Sequence, residues 1–180
     1  MDNDKLRNLI RTVNDWPKPG VNFFDICSIV EKPDAFAWTV NRLAVTCGTF
    51  DATAIISPDA RGFLWGAPVA YATKLPLHLA RKPGKLPGNV FTQTYDYEYD
   101  SASISLQSES ALEGKRVMLI DDVLATGGTA LAIVELLTQH FRIPPKDIQV
   151  ATVINLTFLG GAQRLTERGV CVTSLLDYHE

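Results

Sequence analysis

The sequence is poor in cysteine, has no excess of positive charge and contains no long apolar run. Its three cysteines, Cys27, Cys47 and Cys171, form a sparse and odd-numbered set, which argues against a disulfide framework and favours reduced thiols. The net charge of −3 argues against a general nucleic-acid-binding protein, which is expected to be basic. No apolar run is long enough to cross a bilayer, and no basic and then apolar leader begins the sequence. We therefore expect a cytoplasmic chain that binds neither nucleic acid nor membrane.

Two common nucleotide-binding motifs are also absent. The sequence contains neither Gly-x-x-x-x-Gly-Lys-Ser/Thr nor Gly-x-Gly-x-x-Gly, which argues against a P-loop and against the dinucleotide-binding fingerprint. The composition, with 46% apolar and 21% charged residues, is that of an ordinary globular protein and not of a disordered chain. A length of 180 residues predicts one domain, over residues 1–180, with a substantial core.

The stretch from Val117 to Thr129 carries the strongest signal in the sequence. Residues 117–120 are a short apolar run, which is typical of a strand buried on both faces of a parallel sheet. Asp121 and Asp122 follow directly. Ala125-Thr126-Gly127-Gly128-Thr129 then precedes a helical pattern. The order therefore predicts a buried strand, an acidic pair, a Gly-rich turn and a helix.

This order suits a sugar phosphate. A Gly-rich turn that opens a helix presents free N–H groups and the positive end of the helix dipole, and both favour a phosphate. In open α/β sheets, ligands bind beyond the carboxyl ends of the strands. Two carboxylates would repel a ligand made only of phosphates, but they can accept hydrogen bonds from the vicinal hydroxyl groups of a ribose. We therefore predict a ribose 5-phosphate site at Asp121, Asp122 and residues 125–129.

Two further loops follow short apolar strands and offer cations to an anion. After the strand predicted at Ala54–Ile56 comes Arg61, whose planar guanidinium can donate two hydrogen bonds to one phosphate. After a second strand, predicted over 76–80, residues 81–85 concentrate three cations. Such a cluster is usually a solvated surface, but beside another anion-binding loop it is interpreted as half of a diphosphate site. The cations that we predict to bind diphosphate are Arg61, Arg81, Lys82 and Lys85.

The spacing of apolar residues predicts an α/β fold. Helical patterns alternate with short apolar strands, an order typical of a parallel sheet flanked by helices. Residues 92–106 alternate between apolar and polar positions, which predicts a long twisted hairpin. The helices are predicted over residues 4–14, 33–47, 62–73, 130–141 and 162–168, and the last two strands over 148–154 and 170–176.

Residues 117–129 resemble the phosphoribosyl diphosphate (PRPP) signature of the type I phosphoribosyltransferases. Four other segments, Pro19–Ile26, Arg61–Gly66, Arg81–Gly88 and Tyr97–Tyr99, resemble the members of this family that act on adenine. The matching segments cover nearly the whole chain in the order of the family. The resemblance implies the type I phosphoribosyltransferase fold, a twisted, mainly parallel sheet flanked by helices, with a small N-terminal hood over about 1–32 and a flexible β lid over about 82–107.

The resemblance also implies a reaction. The 5-phosphoribosyl group of PRPP would be transferred to adenine, giving AMP and diphosphate, with Mg²⁺ carried in by PRPP and no metal ligand set of the protein's own. The family also implies a homodimer, in which the cations of residues 81–85 reach the site of the partner. Glu98 matches the glutamate proposed to handle the purine proton, and Arg61 and Lys85 would stabilise the departing diphosphate. The family also places this diphosphate against the loop backbone at Asp59 and Ala60. The residues implied to contact adenine are Asn22, Phe24, Asn155 and Leu156.

The hood segment departs from the family pattern and leaves alternatives open. Phe24 stands where members usually carry Arg, and Asn22 where they carry an aliphatic residue. Adenine recognition survives both changes if the main chain at these positions contacts the base, whereas Phe24 can equally be a core residue of the hood. Two other functions remain possible: a phosphoribosyltransferase for another purine base, such as hypoxanthine or guanine, and a catalytically silent PRPP-binding regulator.

Overall fold

The computed structural model of the protein describes residues 1–96 and 101–179. The strands are β1 Arg11–Val13, β2 Phe23–Asp25, β3 Ala54–Pro58, β4 Leu77–Ala80, β5 Val90–Asp96, β6 Ser101–Gln107, β7 Val117–Leu124, β8 Ile148–Leu156 and β9 Cys171–Tyr178. The helices are α1 Asn3–Arg7, α2 Cys27–Val30, α3 Pro33–Thr49, α4 Phe63–Thr73, α5 Gly128–His140 and α6 Gly161–Glu167. The described residues form a five-stranded parallel sheet in the order β4-β3-β7-β8-β9. Two antiparallel pairs, β1 with β2 and β5 with β6, lie outside this sheet.

The central strands are buried on both faces, as their continuous apolar sequences predict. On one face, side chains such as Val117 and Leu119 belong to a core that α5 and the β5–β6 hairpin complete. On the other face, Met118 and Ile120 belong to a second core with α3, α4 and the N-terminal segment. The fold class predicted from the sequence is therefore confirmed, and the carboxyl ends of β3 and β7 lie side by side.

The N-terminal segment differs from its prediction. A single helix was expected over residues 4–14, but α1 ends at Arg7 and Arg11–Val13 forms a strand that pairs antiparallel with Phe23–Asp25. Only part of the apolar face predicted for this helix is buried: Leu6 is fully buried, whereas Val13 is 44% exposed. Thr12 and Val13 are β-branched, which favours a strand, and the partner strand β2 supplies the hydrogen bonds. The sequence pattern of residues 4–14 carries no information about that partner.

The remaining boundaries lie close to their predictions. The helix α3 begins at Pro33, where the missing N–H is tolerated because it would have no partner inside the helix. The strand β7 is longer than expected and includes Asp121 and Asp122, which were predicted to follow it. This difference matters for the site, because Asp121 pairs with Thr152 of β8 and Asp122 is the next residue of the same strand, so the sheet positions the acidic pair.

The predicted hairpin is present in the described residues as β5 paired with β6. Near the carboxyl end of β6, Ser105 forms an antiparallel bridge with Arg81, the residue that follows β4. Phe91 on β5 stacks on the ring of His140 at the end of α5, with 4.0 Å between ring centroids. The hairpin is thus packed along α5. In the described part of the chain, no helix is both long enough and apolar enough to cross a membrane.

Candidate active site

A cavity of about 740 Å³ opens at the carboxyl ends of β3 and β7. Three loops predicted to bind anions contribute to its wall: the end of β3, the segment after β4 and the turn between β7 and α5. The hairpin closes one side. The predicted site residues that line this cavity are Asp59, Ala60, Arg61, Lys82, Asp121, Asp122, Ala125, Thr126, Gly127, Gly128 and Thr129.

The turn between β7 and α5 has the geometry of an anion site. Gly127 precedes the helix with φ +81°, a conformation that L side chains rarely adopt, so glycine is required there. The helix α5 follows at once with Gly128 and Thr129, which both line the cavity. The first N–H groups of a helix have no carbonyl partner inside it, and here they lie at the cavity wall.

The first residues of α6 pack against the backbone of this turn. A Cβ atom at Gly161 would lie 2.3 Å from the carbonyl oxygen of Ala125 and 2.8 Å from the amide nitrogen of Gly127. Arg164 donates a hydrogen bond of 2.9 Å from Nη1 to the carbonyl oxygen of Thr126. Neither residue was predicted from the sequence to belong to the site, although the pair Gly160-Gly161 before a short helix was an available signal. The turn therefore depends on close backbone contact with α6.

The acidic pair lies in an unfavourable electrostatic environment. Burial and the neighbouring charge of Asp122 raise the pKa of Asp121 well above the usual range of a carboxyl group. The backbone N–H of Asp122 donates to Oδ1 of Asp121 at 2.9 Å, which opposes that shift. Two adjacent carboxylates repel each other, and this repulsion adds to burial in favouring the neutral form of Asp121.

Asp122 is paired with a cation from the neighbouring loop. Its Oδ2 lies 2.6 Å from Nε of Arg61, and its side chain is only 5% exposed. The Arg61 guanidinium also lies over the ring of Phe23 in the hood, 5.5 Å from the ring centroid. Arg61, which was predicted to bind diphosphate, is therefore in contact with a residue that was predicted to bind ribose. The two predicted subsites are adjacent.

The three cations after β4 differ in their position relative to the cavity. Lys82 lines the cavity, whereas the side chain of Lys85 is exposed and does not belong to the described lining. Arg81 holds the two loops together, since its Nε lies 3.2 Å from Oδ2 of Asp59 and its Nη1 donates to the carbonyl oxygen of Lys85 at 3.1 Å. The peptide bond between Asp59 and Ala60 is cis.

The four predicted adenine residues are absent from the described lining of this cavity. Asn22 is exposed, whereas Phe24 is buried and its ring lies 4.2 Å from that of Tyr178, so the side chain of Phe24 is a core residue of the hood. Asn155 donates from Nδ2 to Oδ1 of Asp177 at 2.9 Å, and Leu156 is buried at the end of β8. The predicted catalytic residue Glu98 lies outside the described residues, as do Tyr97, Tyr99 and Asp100.

Five hairpin residues in the described lining were not predicted as site residues, namely Tyr95, Ser101, Ala102, Ser103 and Ile104. Tyr95 reaches the start of α5, where its hydroxyl lies 2.9 Å from Oγ1 of Thr129. The alternating pattern around Tyr95 predicted a strand but gave no indication of which helix the strand would contact.

Comparisons with known proteins agree with this geometry. Residues 30–175 match the family model described as a phosphoribosyl transferase domain. An adenine phosphoribosyltransferase of Pectobacterium atrosepticum is 41% identical over 173 residues, which cover 96% of this chain and 92% of that protein. The chain therefore belongs to the phosphoribosyltransferase family and, within it, to the adenine phosphoribosyltransferases.

Solved structures show the same likeness. The crystal structure of adenine phosphoribosyltransferase from Thermoanaerobacter pseudethanolicus has a TM-score of 0.89 and 34% identity, covering 98% of this chain and 99% of that one. The enzyme of Saccharomyces cerevisiae, solved with an imino-altritol bisphosphate and adenine, has a TM-score of 0.87 and 29% identity, covering 97% and 98%. The predicted type I phosphoribosyltransferase fold is confirmed.

Proposed function

We propose that this chain transfers the 5-phosphoribosyl group of PRPP to adenine, giving AMP and diphosphate, a reaction of purine salvage. The observation that carries the proposal is the meeting of the 125–129 turn, the Asp121–Asp122 pair and the Asp59–Arg61 loop around one cavity. The named relatives are adenine phosphoribosyltransferases over nearly their full length. A cytoplasmic location remains a prediction.

Each of these parts has a separate task in the transfer. The amides of residues 125–129 hold the 5-phosphate, and the carboxyl groups of Asp121 and Asp122 bind the ribose hydroxyls. The bond between C1 of the ribose and the diphosphate oxygen breaks, with positive charge developing on the ribose. Arg61, Arg81, Lys82 and Lys85 stabilise the departing diphosphate, for which Asp59 and Ala60 supply the loop. A purine nitrogen then bonds to C1 and loses its proton, which Glu98 receives.

Magnesium fits the oxygen groups at this site. Mg²⁺ prefers oxygen ligands, and several of these are usually supplied by water molecules and substrate phosphates. Asp121 and Asp122 place carboxylate oxygens on the cavity wall, beside the predicted diphosphate loop. When bound with PRPP, Mg²⁺ would neutralise charge on the diphosphate. The carboxyl groups on the cavity wall that could contact it are those of Asp59, Asp121 and Asp122.

Recognition of adenine is assigned to the main chain of the hood. The burial of the Phe24 side chain against Tyr178 leaves the amide of Phe24 and the carbonyl of Asn22 as the groups that could contact the base. Asn155 is proposed to contact the base from the side opposite the hood. Its Oδ1 is buried and lacks a hydrogen-bond partner among the described residues. A carbonyl oxygen of that kind can accept a hydrogen bond from an amino group. Leu156 would pack on the base.

A homodimer belongs to the proposal. Its support is an exposed stripe on α4, where Leu64, Ala67 and Tyr71 share one face and Tyr71 is 89% exposed. Exposed apolar side chains in a row are typical of a contact surface. Sedimentation of the wild type and of Tyr71→Asp tests it. A dimeric wild type and a weakened variant support the assignment, whereas a monomeric wild type at micromolar concentration contradicts it.

The experiment that tests the function is a panel of bases. The protein is mixed with PRPP and Mg²⁺, and adenine, hypoxanthine, guanine and xanthine are offered separately while mononucleotide formation is followed. Formation of AMP alone supports the proposal and shows that Asn22 and Phe24 permit adenine. Turnover of another base would assign a different specificity to the hood. Binding of PRPP without turnover of any base would favour the regulator.

A further inference from the structure

The strand β5 runs along α5 and ends over the predicted phosphate turn. Phe91 stacks on His140 near the carboxyl end of the helix, and Tyr95, four residues later on the same face of the strand, contacts the beginning of the helix. Both side chains are partly buried against the core that contains α5. Tyr95 is therefore held in place from the hairpin side and from the helix side.

The ring of Tyr95 occupies the space that a side chain at position 128 would need. A Cβ atom at Gly128 would lie 2.9 Å from Cδ2 and 3.3 Å from Cε2 of Tyr95. Gly127 has a different reason to be glycine, because its φ of +81° requires one. The two neighbouring glycines of the turn thus serve different purposes, and Gly128 makes room for an aromatic ring.

The hydroxyl of Tyr95 lies 2.9 Å from Oγ1 of Thr129, the second residue of α5. Each hydroxyl has one proton to donate. A bound phosphate accepts hydrogen bonds only, so Thr129 donates its proton to the phosphate and is left as an acceptor towards Tyr95. Tyr95 then donates to Thr129. Hydrogen bonds in such a chain polarise and strengthen one another.

We propose that Tyr95 is a positioning residue for the 5-phosphate of PRPP, which acts through the hydroxyl of Thr129 and links the order of the hairpin to occupancy of the phosphate turn. The proposal rests on the proposed function, since it takes the 125–129 turn as the phosphate site. Tyr95 orients the donor of Thr129 before the substrate arrives, and the bound phosphate in turn fixes the hairpin.

The test compares wild type, Tyr95→Phe, Thr129→Val and the double variant. Phenylalanine keeps the ring on Gly128 and removes only the hydroxyl, so the fold is retained. We expect Tyr95→Phe to raise the KM for PRPP and the Kd for ribose 5-phosphate by about fivefold to tenfold, the effect of one lost hydrogen bond, while kcat and the KM for adenine stay within about twofold. In the Thr129→Val background, Tyr95→Phe should have no further effect.

Thr94→Val is the matched control. Thr94 precedes Tyr95 on β5, and its hydroxyl bonds to Ser103 across the hairpin at 2.9 Å without contacting Thr129. This variant should leave ribose 5-phosphate binding unchanged. The inference would be overturned if Tyr95→Phe bound ribose 5-phosphate as tightly as wild type. It would also be overturned if the fold-changes in Kd of Tyr95→Phe and Thr129→Val multiplied in the double variant. Wild-type protein that binds neither PRPP nor ribose 5-phosphate would instead overturn the proposed function.

Discussion

Arg61 and Asp122 form an ion pair, with 2.6 Å between Nε and Oδ2, at the point where the two predicted substrate subsites meet. The side chain of Asp122 is 5% exposed and that of Arg61 is 47% exposed, so the pair has one buried and one accessible partner. The accessible cation can reach an anion in the cavity, while the buried carboxylate depends on it for compensation. Substrate that draws Arg61 towards diphosphate must therefore supply another partner for Asp122, and ribose hydroxyls meet that need.

Replacement of Arg61 by alanine is expected to reduce both stability and turnover. Because Arg61 is half exposed, the stability loss should be about 1 kcal/mol, or a melting temperature lower by about 2–4 °C. The double variant Arg61→Ala/Asp122→Asn should recover the stability but not PRPP turnover, since the buried charge is gone while the diphosphate cation and the ribose-binding carboxylate are both missing. Arg168→Ala is the control, because Arg168 forms a similarly exposed ion pair with Glu135. Recovery of turnover in the double variant would contradict the role of Arg61.

Asp121 should make stability depend on pH. Its pKa is raised in the folded state, so the folded protein holds this proton more tightly than the unfolded chain. The resulting stability is present below the ordinary carboxyl range and is lost as pH rises through the raised pKa of Asp121. Asp121→Asn remains neutral, and its melting temperature should exceed that of wild type by a margin that grows with pH to at least about 2 °C. Thermal melts across pH measure this difference, with Glu113→Gln, an exposed turn residue, as the control. A margin independent of pH would show that folding does not raise the pKa of Asp121.

Gly161→Ala should damage the phosphate turn from outside the cavity. The added methyl group would lie 2.3 Å from the carbonyl oxygen of Ala125, and backbone cannot move away as a flexible side chain can. We expect a stability loss of about 1–3 kcal/mol and a clear rise in the KM for PRPP. Gly48→Ala is the matched control, because a Cβ atom at Gly48 in α3 meets no atom within 4 Å and alanine favours a helix. Unchanged PRPP kinetics in Gly161→Ala would show that the turn does not depend on contact with α6.

Phe24→Leu separates the side chain of the hood residue from its main chain. The ring is buried against Tyr178, so its loss should lower the free energy of unfolding by about 1 kcal/mol. If the amide of Phe24 contacts adenine, the KM for adenine should stay within about threefold. Calorimetric melts and steady-state kinetics measure the two effects, with the half-exposed Phe158→Leu as the control. A large rise in the KM for adenine without loss of stability would assign the contact to the side chain.

The sequence by itself determined the order of strands and helices and the position of the phosphate turn. These features depend on neighbouring residues: the apolar run before Asp121, the glycines before α5 and the proline at the start of α3 each act on their own segment. The same local patterns also placed Asp59–Arg61 and Lys82 at strand ends, and parallel strands bring such ends to one edge of the sheet. The expected helix over 4–14 failed because strand β2 decided the conformation of residues 11–13.

Only the tertiary structure decided which of these residues touch. The contacts of Tyr95 with Thr129 and of Arg164 with Thr126 join residues 34 and 38 positions apart, and no local pattern specifies such a partner. The pairing of Arg61 with Asp122 likewise follows from the packing of two loops at the edge of the sheet. Periodicity fixes the face on which a side chain lies within its own element, whereas the contact itself depends on how the elements pack.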